Sequence, residues 1–321
     1  MEISQSQRVH SCGASDYLHL ARFDHWIKQL FILPGMGFAI VLVDSLDARG
    51  IVVRFALGFV ATCLIASANY IINEWLDAEF DQYHPTKKFR PAVAVDIKAK
   101  YVYGMYALFG LSGMIAAFLA SWLVFWSALL LFVMGIVYNV RPLRSKEVPY
   151  VDVLSESINN AIRLLIGWFI VTSDYFPPAT IVFGFWMGGA FLMATKRYAE
   201  YRMIGDKQTA ALYRKSFAKY SEKSLLVSAF FYALCALFFT GVFMVKYRVE
   251  LLISIPVLCG LFCYYLHIAY KKDSAAQKPE KLFREKGLTA FVVAFVATIA
   301  IAMFVDIPAL NALLETSLIG A

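Results

Sequence analysis

Long apolar runs alternate along this chain with short polar intervals. Nine runs stand out, near 26–44, 51–76, 101–119, 121–138, 151–172, 177–200, 224–245, 250–270 and 288–311. Each is close to the roughly 20 residues that an α-helix needs to cross a bilayer. Lipid offers the backbone no hydrogen bonds, so every span must satisfy its own, and the pattern predicts nine transmembrane helices. The third and fourth runs are parted only by a tight turn at Ala120-Ser121. The 321 residues are 60% hydrophobic with a mean hydropathy of +0.63, above the roughly half-apolar composition of soluble domains. Length alone would suggest two soluble domains. The apolar pattern points instead to one all-α bundle, an integral membrane protein spanning 1–321 as a single domain.

The net charge of +7 raises the question of nucleic acid. Where the bases sit answers it. Most of the 30 Lys and Arg lie in four intervals, 77–100, 139–150, 196–223 and 271–287, whereas the alternate loops hold Arg49, Arg54, Lys246 and Arg248. Topology accounts for this asymmetry, so no nucleic-acid partner is expected. The positive-inside rule puts the N-terminus and the rich loops in the cytoplasm and the C-terminus outside. The first residues lack a basic stretch followed by an apolar core, so no cleaved signal is expected. Cys259 and Cys263 are four apart, but no His or carboxylate accompanies them; small buried hydrophobes is the plainer reading of the cysteines.

Some polar residues do not belong in lipid. Asn69, Asn73, Asp77 and Asp81 recur every four residues at the end of the second span. On a helix they form one narrow stripe. Two aspartates facing one way repel each other unless a cation lies between them. All-oxygen ligands suit Mg²⁺, which commonly bridges carboxylates to phosphates. A solvated acidic helix end is the alternative, but it leaves the asparagines inside the span unexplained. The next residues run His84-Pro85-Thr86-Lys87-Lys88-Phe89-Arg90. Acid that holds metal beside base that holds anion suits a diphosphate; topology alone could also place these bases. His84 reads as a base, a ligand or a structural loop residue. A third group, Tyr138-Asn139-Val140-Arg141-Pro142-Leu143-Arg144-Ser145-Lys146, leads into the fifth span, where Asp152, Glu156, Asn160 and Arg163 share a face. Ionisable groups in a span usually face a cavity or each other; Glu156 neutralising Arg163 is the structural alternative. The fourth group is Lys196-Arg197-Tyr198-Ala199-Glu200, with Lys196 and Glu200 an i, i+4 pair or an ordinary helix end. The two clusters closing the second and sixth spans suggest two halves of one cavity at the cytoplasmic boundary. Glycines such as Gly104, Gly167 and Gly188 suggest close helix packing. No Gly-rich phosphate loop or His-Glu-x-x-His motif is visible.

With these residues in view, the chain resembles the UbiA superfamily of intramembrane prenyltransferases. The family's Asn-Asp-x-x-Asp-x-x-x-Asp motif stands here as Asn73-Glu74-x-x-Asp77-x-x-x-Asp81. Its second motif normally places acids around Tyr-Ala; here bases flank Tyr198-Ala199. That departure, with the Lys87–Arg90 run, is similar to the subgroup of decaprenyl-phosphate phosphoribosyltransferases. The resemblance implies a nine-helix UbiA-like bundle with a cytoplasm-side cavity in the cell membrane. It implies Mg²⁺-dependent transfer of a 5-phosphoribosyl group from phosphoribosyl diphosphate to a polyprenyl phosphate, for cell-envelope arabinose precursors. Asn73, Asp77 and Asp81 are then catalytic and metal-holding, with Glu74 and Glu200 as further ligands. Lys87, Lys88, Arg90, Arg141, Arg144, Lys196 and Arg197 are phosphate-binding candidates, joined in the substrate set by Tyr198, Asn69, Lys28, Asn160 and Arg163. Self-association into a homo-oligomer is compatible with this. Two other readings stay open: a prenyltransferase acting on an aromatic or lipid acceptor, and a transporter of an anionic solute.

Overall fold

A computed structural model describes residues 13–43, 50–271, 274–277, 282 and 285–310. Cys12, Arg49 and the basic residues Lys272, Lys278, Lys281 and Arg284 lie outside them. The helices in order are α1 (Ala14–Leu20), α2 (Leu33–Leu42), α3 (Ile51–Asp81), α4 (Pro91–Ala94), α5 (Ala99–Ala120), α6 (Trp122–Asn139), α7 (Val151–Val171), α8 (Ala179–Ile204), α9 (Lys207–Tyr213), α10 (Glu222–Tyr247), α11 (Ile255–Ala269) and α12 (Lys286–Phe304). The architecture is all-helical. Among the described residues, eight helical stretches are long and apolar enough to cross a membrane. The ninth expected span, α7, has 21 residues, but Asp152, Glu156, Asn159, Asn160 and Arg163 give it a polar face that lowers its hydropathy.

The chain divides into two compact units. One comprises Met1–Pro177 with Ile204–Ser221, the other Pro178–Met203 with Glu222–Ala321. The first unit packs α2, α3, α5, α6 and α7 around a core that includes Ile32, Ala61, Ile65, Ala117, Val124, Leu131, Ile162 and Trp168. The second holds most of α8 together with α10, α11 and α12. The side chains of Val292, Val293, Val296, Ile301 and Phe304 on α12 stand exposed, as expected of a surface that meets lipid rather than water.

Local sequence explains the joints. Ser121 caps α6 by accepting from the Val124 N–H at 3.1 Å, which forms the tight turn read from Ala120-Ser121. The first span begins not as an α-helix but as a 3₁₀ segment, Phe23–Ile32, that gives way to α2 where Pro34 enters the first turn. Proline lacks the N–H that a continuing helix would use. The same device recurs at Val249–Ser254, before Pro256 in α11. α3 has 31 residues, about 46 Å at 1.5 Å per residue. That exceeds the roughly 30 Å hydrocarbon core, so its last turns emerge as an acidic helical end. Gly35 and Gly167 let the first-span segment and α7 touch backbone to backbone. Gly104 and Gly188, expected to do similar work, have nothing near the place a Cβ would occupy.

Candidate functional site

The acidic end of α3 is the centre of the polar structure in the first unit. Asn69, Asn73, Asp77 and Asp81 do form one helical stripe, and each meets a partner from another element or from the following loop. Asn69 donates to the Leu131 carbonyl of α6 at 3.1 Å, in a space open only because residue 135 is glycine. Asn73 donates to Asp77 at 3.2 Å and to the Asn139 side-chain oxygen. Asn139 ends α6 and is itself oriented by the Gly135 carbonyl at 2.9 Å.

The cation expected between the aspartates is supplied here by protein side chains. Asp77 Oδ1 accepts from Arg144 at 3.0 Å and pairs with the Lys146 ammonium at 2.5 Å. Lys146 also donates to Asn139 at 2.8 Å, and Arg144 to the carbonyls of Asn139 and Leu76 at 3.1 and 3.2 Å. Arg144 and Lys146 are both buried. Arg144 adopts φ +26°, a conformation that costs a residue with a Cβ about 1–3 kcal/mol and is held by these contacts. Burial pushes the Lys146 ammonium down to about 8; Asp77 works against that and Arg144 with it. Asp81 takes Arg90. Glu147 meets Arg144 Nε at 2.7 Å, so charge balance at this end rests on three basic side chains and three carboxylates.

The remaining sequence candidates are distributed as follows. Glu74 lies on the adjacent face of α3, buried, and accepts from Arg22 Nε and Nη2 at 3.0 and 2.7 Å. That contact ties the N-terminal segment to α3. His84 Nδ1 accepts the N–H groups of Thr86 and Lys87, both at 3.2 Å, contacts that suit its structural reading. Lys87 reaches the Tyr213 hydroxyl. Lys88 is exposed over Phe89, and Arg141 is exposed beside Glu147. Lys28 lies 3.1 Å from His25. Arg163 donates to Gln29 at 2.7 Å and to Asn160 at 3.3 Å, while Glu156 accepts from Tyr138 at 2.7 Å; the self-neutralised Glu156–Arg163 pair does not form. In the second unit Glu200 pairs with Arg197 at 2.9 Å, both buried. Tyr198 stacks edge-on with Tyr270, and Arg202 lies over both rings.

Sequence reasoning passed over several contributors. Arg22 precedes the first span without a motif. Lys146 and Asn139 stood in the quoted loop but were not singled out. Segment 204–221 supplies Tyr213, Arg214 and Lys215. Its anchor is Asp152, fully buried at the start of α7, which accepts from Tyr220 at 2.7 Å and Ser216 at 3.1 Å and faces Arg214 at 3.8 Å. The Tyr220 hydroxyl in turn accepts from the Tyr150 N–H. A fully buried carboxylate bonded by another segment was the available signal. Asp152→Ala should strip two buried hydroxyls and one guanidinium of their acceptor, at about 3 kcal/mol. Hydrogen exchange should then rise in 204–221 while α5 and α6 stay protected; a uniform rise would refute the anchor.

The donor set fits a hard divalent cation. Two carboxylates one helical turn apart and an amide are all oxygen ligands. The charge that such an ion would bring is the charge that Arg144, Lys146 and Arg90 now provide.

Comparison with known proteins agrees with this geometry. The family model of the UbiA prenyltransferase family matches residues 30–295. The decaprenyl-phosphate phosphoribosyltransferase of Mycolicibacterium smegmatis is 30% identical over 211 residues, 66% of this chain and 64% of that one. The chain thus matches somewhat less than two thirds of that relative's length. The 4-hydroxybenzoate octaprenyltransferase of Paraburkholderia phymatum is 36% identical over 84 residues, 26% of this chain and 28% of its own. Among solved structures, a UbiA homolog from Archaeoglobus fulgidus bound to DMAPP and Mg²⁺ superposes with a TM-score of 0.66 at 18% identity, covering 91% of this chain and all of that one. The match extends through both units and includes the acidic end of α3: the chain belongs to the UbiA prenyltransferase family.

Proposed function

We propose that this protein transfers a 5-phosphoribosyl group from phosphoribosyl diphosphate to a polyprenyl phosphate, at the cytoplasmic face of the cell membrane. The observation that carries the reading is the excess of base around the acidic end of α3. Arg90, Arg141, Arg144, Lys146, Arg214 and Lys215 share the carboxylates of Asp77, Asp81, Glu147 and Asp152, and Lys87 reaches the Tyr213 hydroxyl. A donor with three phosphoryl groups asks for more positive charge than a prenyl diphosphate does. The names of the mycolicibacterial and other actinobacterial relatives support the same choice.

Asn73, Asp77 and Asp81 are the residues that would hold Mg²⁺, and the Mg²⁺ bound by the Archaeoglobus homolog supports this. When bound, the ion supplies charge neutralisation to the leaving diphosphate. The protein's own part is electrostatic. Arg144 and Lys146, released from Asp77, turn to phosphoryl oxygens, and Arg90 does the same from Asp81. The bond from the ribose anomeric carbon to the diphosphate oxygen breaks, its electron pair leaving with pyrophosphate. A phosphate oxygen of the lipid forms the new bond. That oxygen is already anionic, so no general base is needed. Preorganised charge supplies most of the rate.

Purified protein with Mg²⁺, labelled phosphoribosyl diphosphate and polyprenyl phosphate should move label into the lipid fraction and release pyrophosphate. Transfer of a prenyl group to an aromatic acceptor, with no label moved, would favour the prenyltransferase reading. The octaprenyltransferase relative is what keeps that reading in view.

A further inference from the structure

Arg163 stands apart from the acidic end of α3, and its surroundings are unusual for a charge in a membrane protein. It lies in α7 about 18 Å from the helix start at 1.5 Å per residue. Such a charge is normally paired with a carboxylate. Here Nε donates to the Gln29 side-chain oxygen at 2.7 Å and Nη1 to that of Asn160 at 3.3 Å. Both partners are neutral amides. Among the described residues no carboxylate pairs with Arg163, and its Nη2 has no protein acceptor. The side chain is not fully enclosed.

The amides are held in place. Gln29 is completely buried and reaches back to the His25 carbonyl at 3.5 Å. Trp26, one turn earlier, donates to Ser67 of α3 at 3.0 Å. Ser67 precedes Asp77 by about 15 Å of helix. The first-span segment lies against α7 where a Cβ on Gly35 or Gly167 would meet backbone oxygen at 2.0 or 1.9 Å. A fork with one open edge is therefore fixed on the lipid side of the acidic end, with its charge uncompensated.

We infer that Arg163, oriented by Gln29 and Asn160, is the subsite for the phosphate monoester of the lipid acceptor. The identity of that lipid rests on the function proposed above. The bases at the acidic end suit a polyanionic donor arriving from water. A single guanidinium deeper along the bundle suits a single phosphate carried on an apolar chain. Bidentate Arg–phosphate geometry uses Nη1 and Nη2, so Nη1 exchanges its long bond to Asn160 for the ligand.

The test compares farnesyl phosphate with farnesol for binding to the detergent-purified full chain. Wild type should prefer the phosphate by at least about tenfold, the worth of one charge-assisted contact. Arg163→Gln should erase most of that preference and raise the KM for polyprenyl phosphate about tenfold, leaving the KM for phosphoribosyl diphosphate within about twofold. Asn160→Asp places a competing carboxylate beside Arg163 at almost unchanged volume. It should weaken farnesyl phosphate by a similar factor with an unchanged or raised melting temperature, so the test does not depend on Arg163→Gln folding. Unaltered phosphate preference in Asn160→Asp would overturn the subsite, as would a raised KM for the sugar donor alone, which would assign Arg163 to the donor's 5-phosphate. Binding needs no turnover. Arg163-dependent preference without label transfer would uphold the subsite and sink the donor; label transfer indifferent to both variants would do the reverse.

Discussion

Asp77→Asn should lower phosphoribosyl transfer by at least about a thousandfold, the scale seen when one preorganised electrostatic contact to a transition state is lost. The substitution also has a structural consequence. Asp77 neutralises both Arg144 and Lys146, and its carbonyl-bearing neighbour Leu76 accepts from the same guanidinium. An amide at position 77 leaves Lys146 without a carboxylate and Arg144 with Glu147 alone, 2.7 Å from its Nε, and removing one member of a buried pair costs about 3–5 kcal/mol. Lost activity in Asp77→Asn alone would therefore be ambiguous. The double variant Asp77→Asn/Lys146→Met resolves it. Removing one cation with the anion restores charge balance, so the melting temperature should recover most of the loss. Activity should stay absent under the proposed role of Asp77 in holding metal and diphosphate. Recovery of both stability and turnover in the double variant would show that Asp77 serves only as a counter-ion. Melting curves and label transfer on the same preparations read the two effects separately.

The part of this site legible in the sequence was the part written in one helix. Asn69, Asn73, Asp77 and Asp81 at four-residue spacing placed the stripe correctly, because spacing on a single helix is geometry in itself. The sequence also implied that a cation must separate the aspartates. It did not show that Arg144 and Lys146 would reach Asp77. Their contact with Asp77 depends on how the loop after α6 folds back, at a positive φ that no pattern announces. Glu74 illustrates the same limit: one residue from Asn73 in sequence, it turns about 100° around the helix and meets Arg22. Apolar periodicity located eight of the spans directly. α7 was recognisable by length, although its polar face lowers the hydropathy that marks the other spans. Asp152 was read on that face, but its bond to Tyr220 joins segments far apart in the chain, and only tertiary structure reveals it.

Gly167→Ala should be the most damaging single-methyl change in the first unit. A Cβ there would lie 1.9 Å from the Ile32 carbonyl oxygen and 2.8 Å from its carbon. Gly35 presents the reciprocal contact, 2.0 Å from the Leu164 oxygen. The obstructing atoms are backbone, so no side chain can swing away; the first-span segment and α7 must separate. Overpacking costs about 1–3 kcal/mol even where some relaxation is available, and here the upper end applies. Gly104→Ala is the matched control. Nothing lies within 4 Å of its Cβ, and replacing a helical glycine there should be neutral or stabilise by about 0.5–1 kcal/mol. The expected result is a fall of several degrees in melting temperature for Gly167→Ala in detergent and none for Gly104→Ala. Separation of the two segments also lengthens the Arg163–Gln29 bond. Protein that survives at low temperature should therefore show a raised KM for polyprenyl phosphate with little change for the sugar donor. Equal melting temperatures for the two variants would mean that α7 and the first-span segment are not in backbone contact, and the rigid placement of Arg163 would fall with that contact.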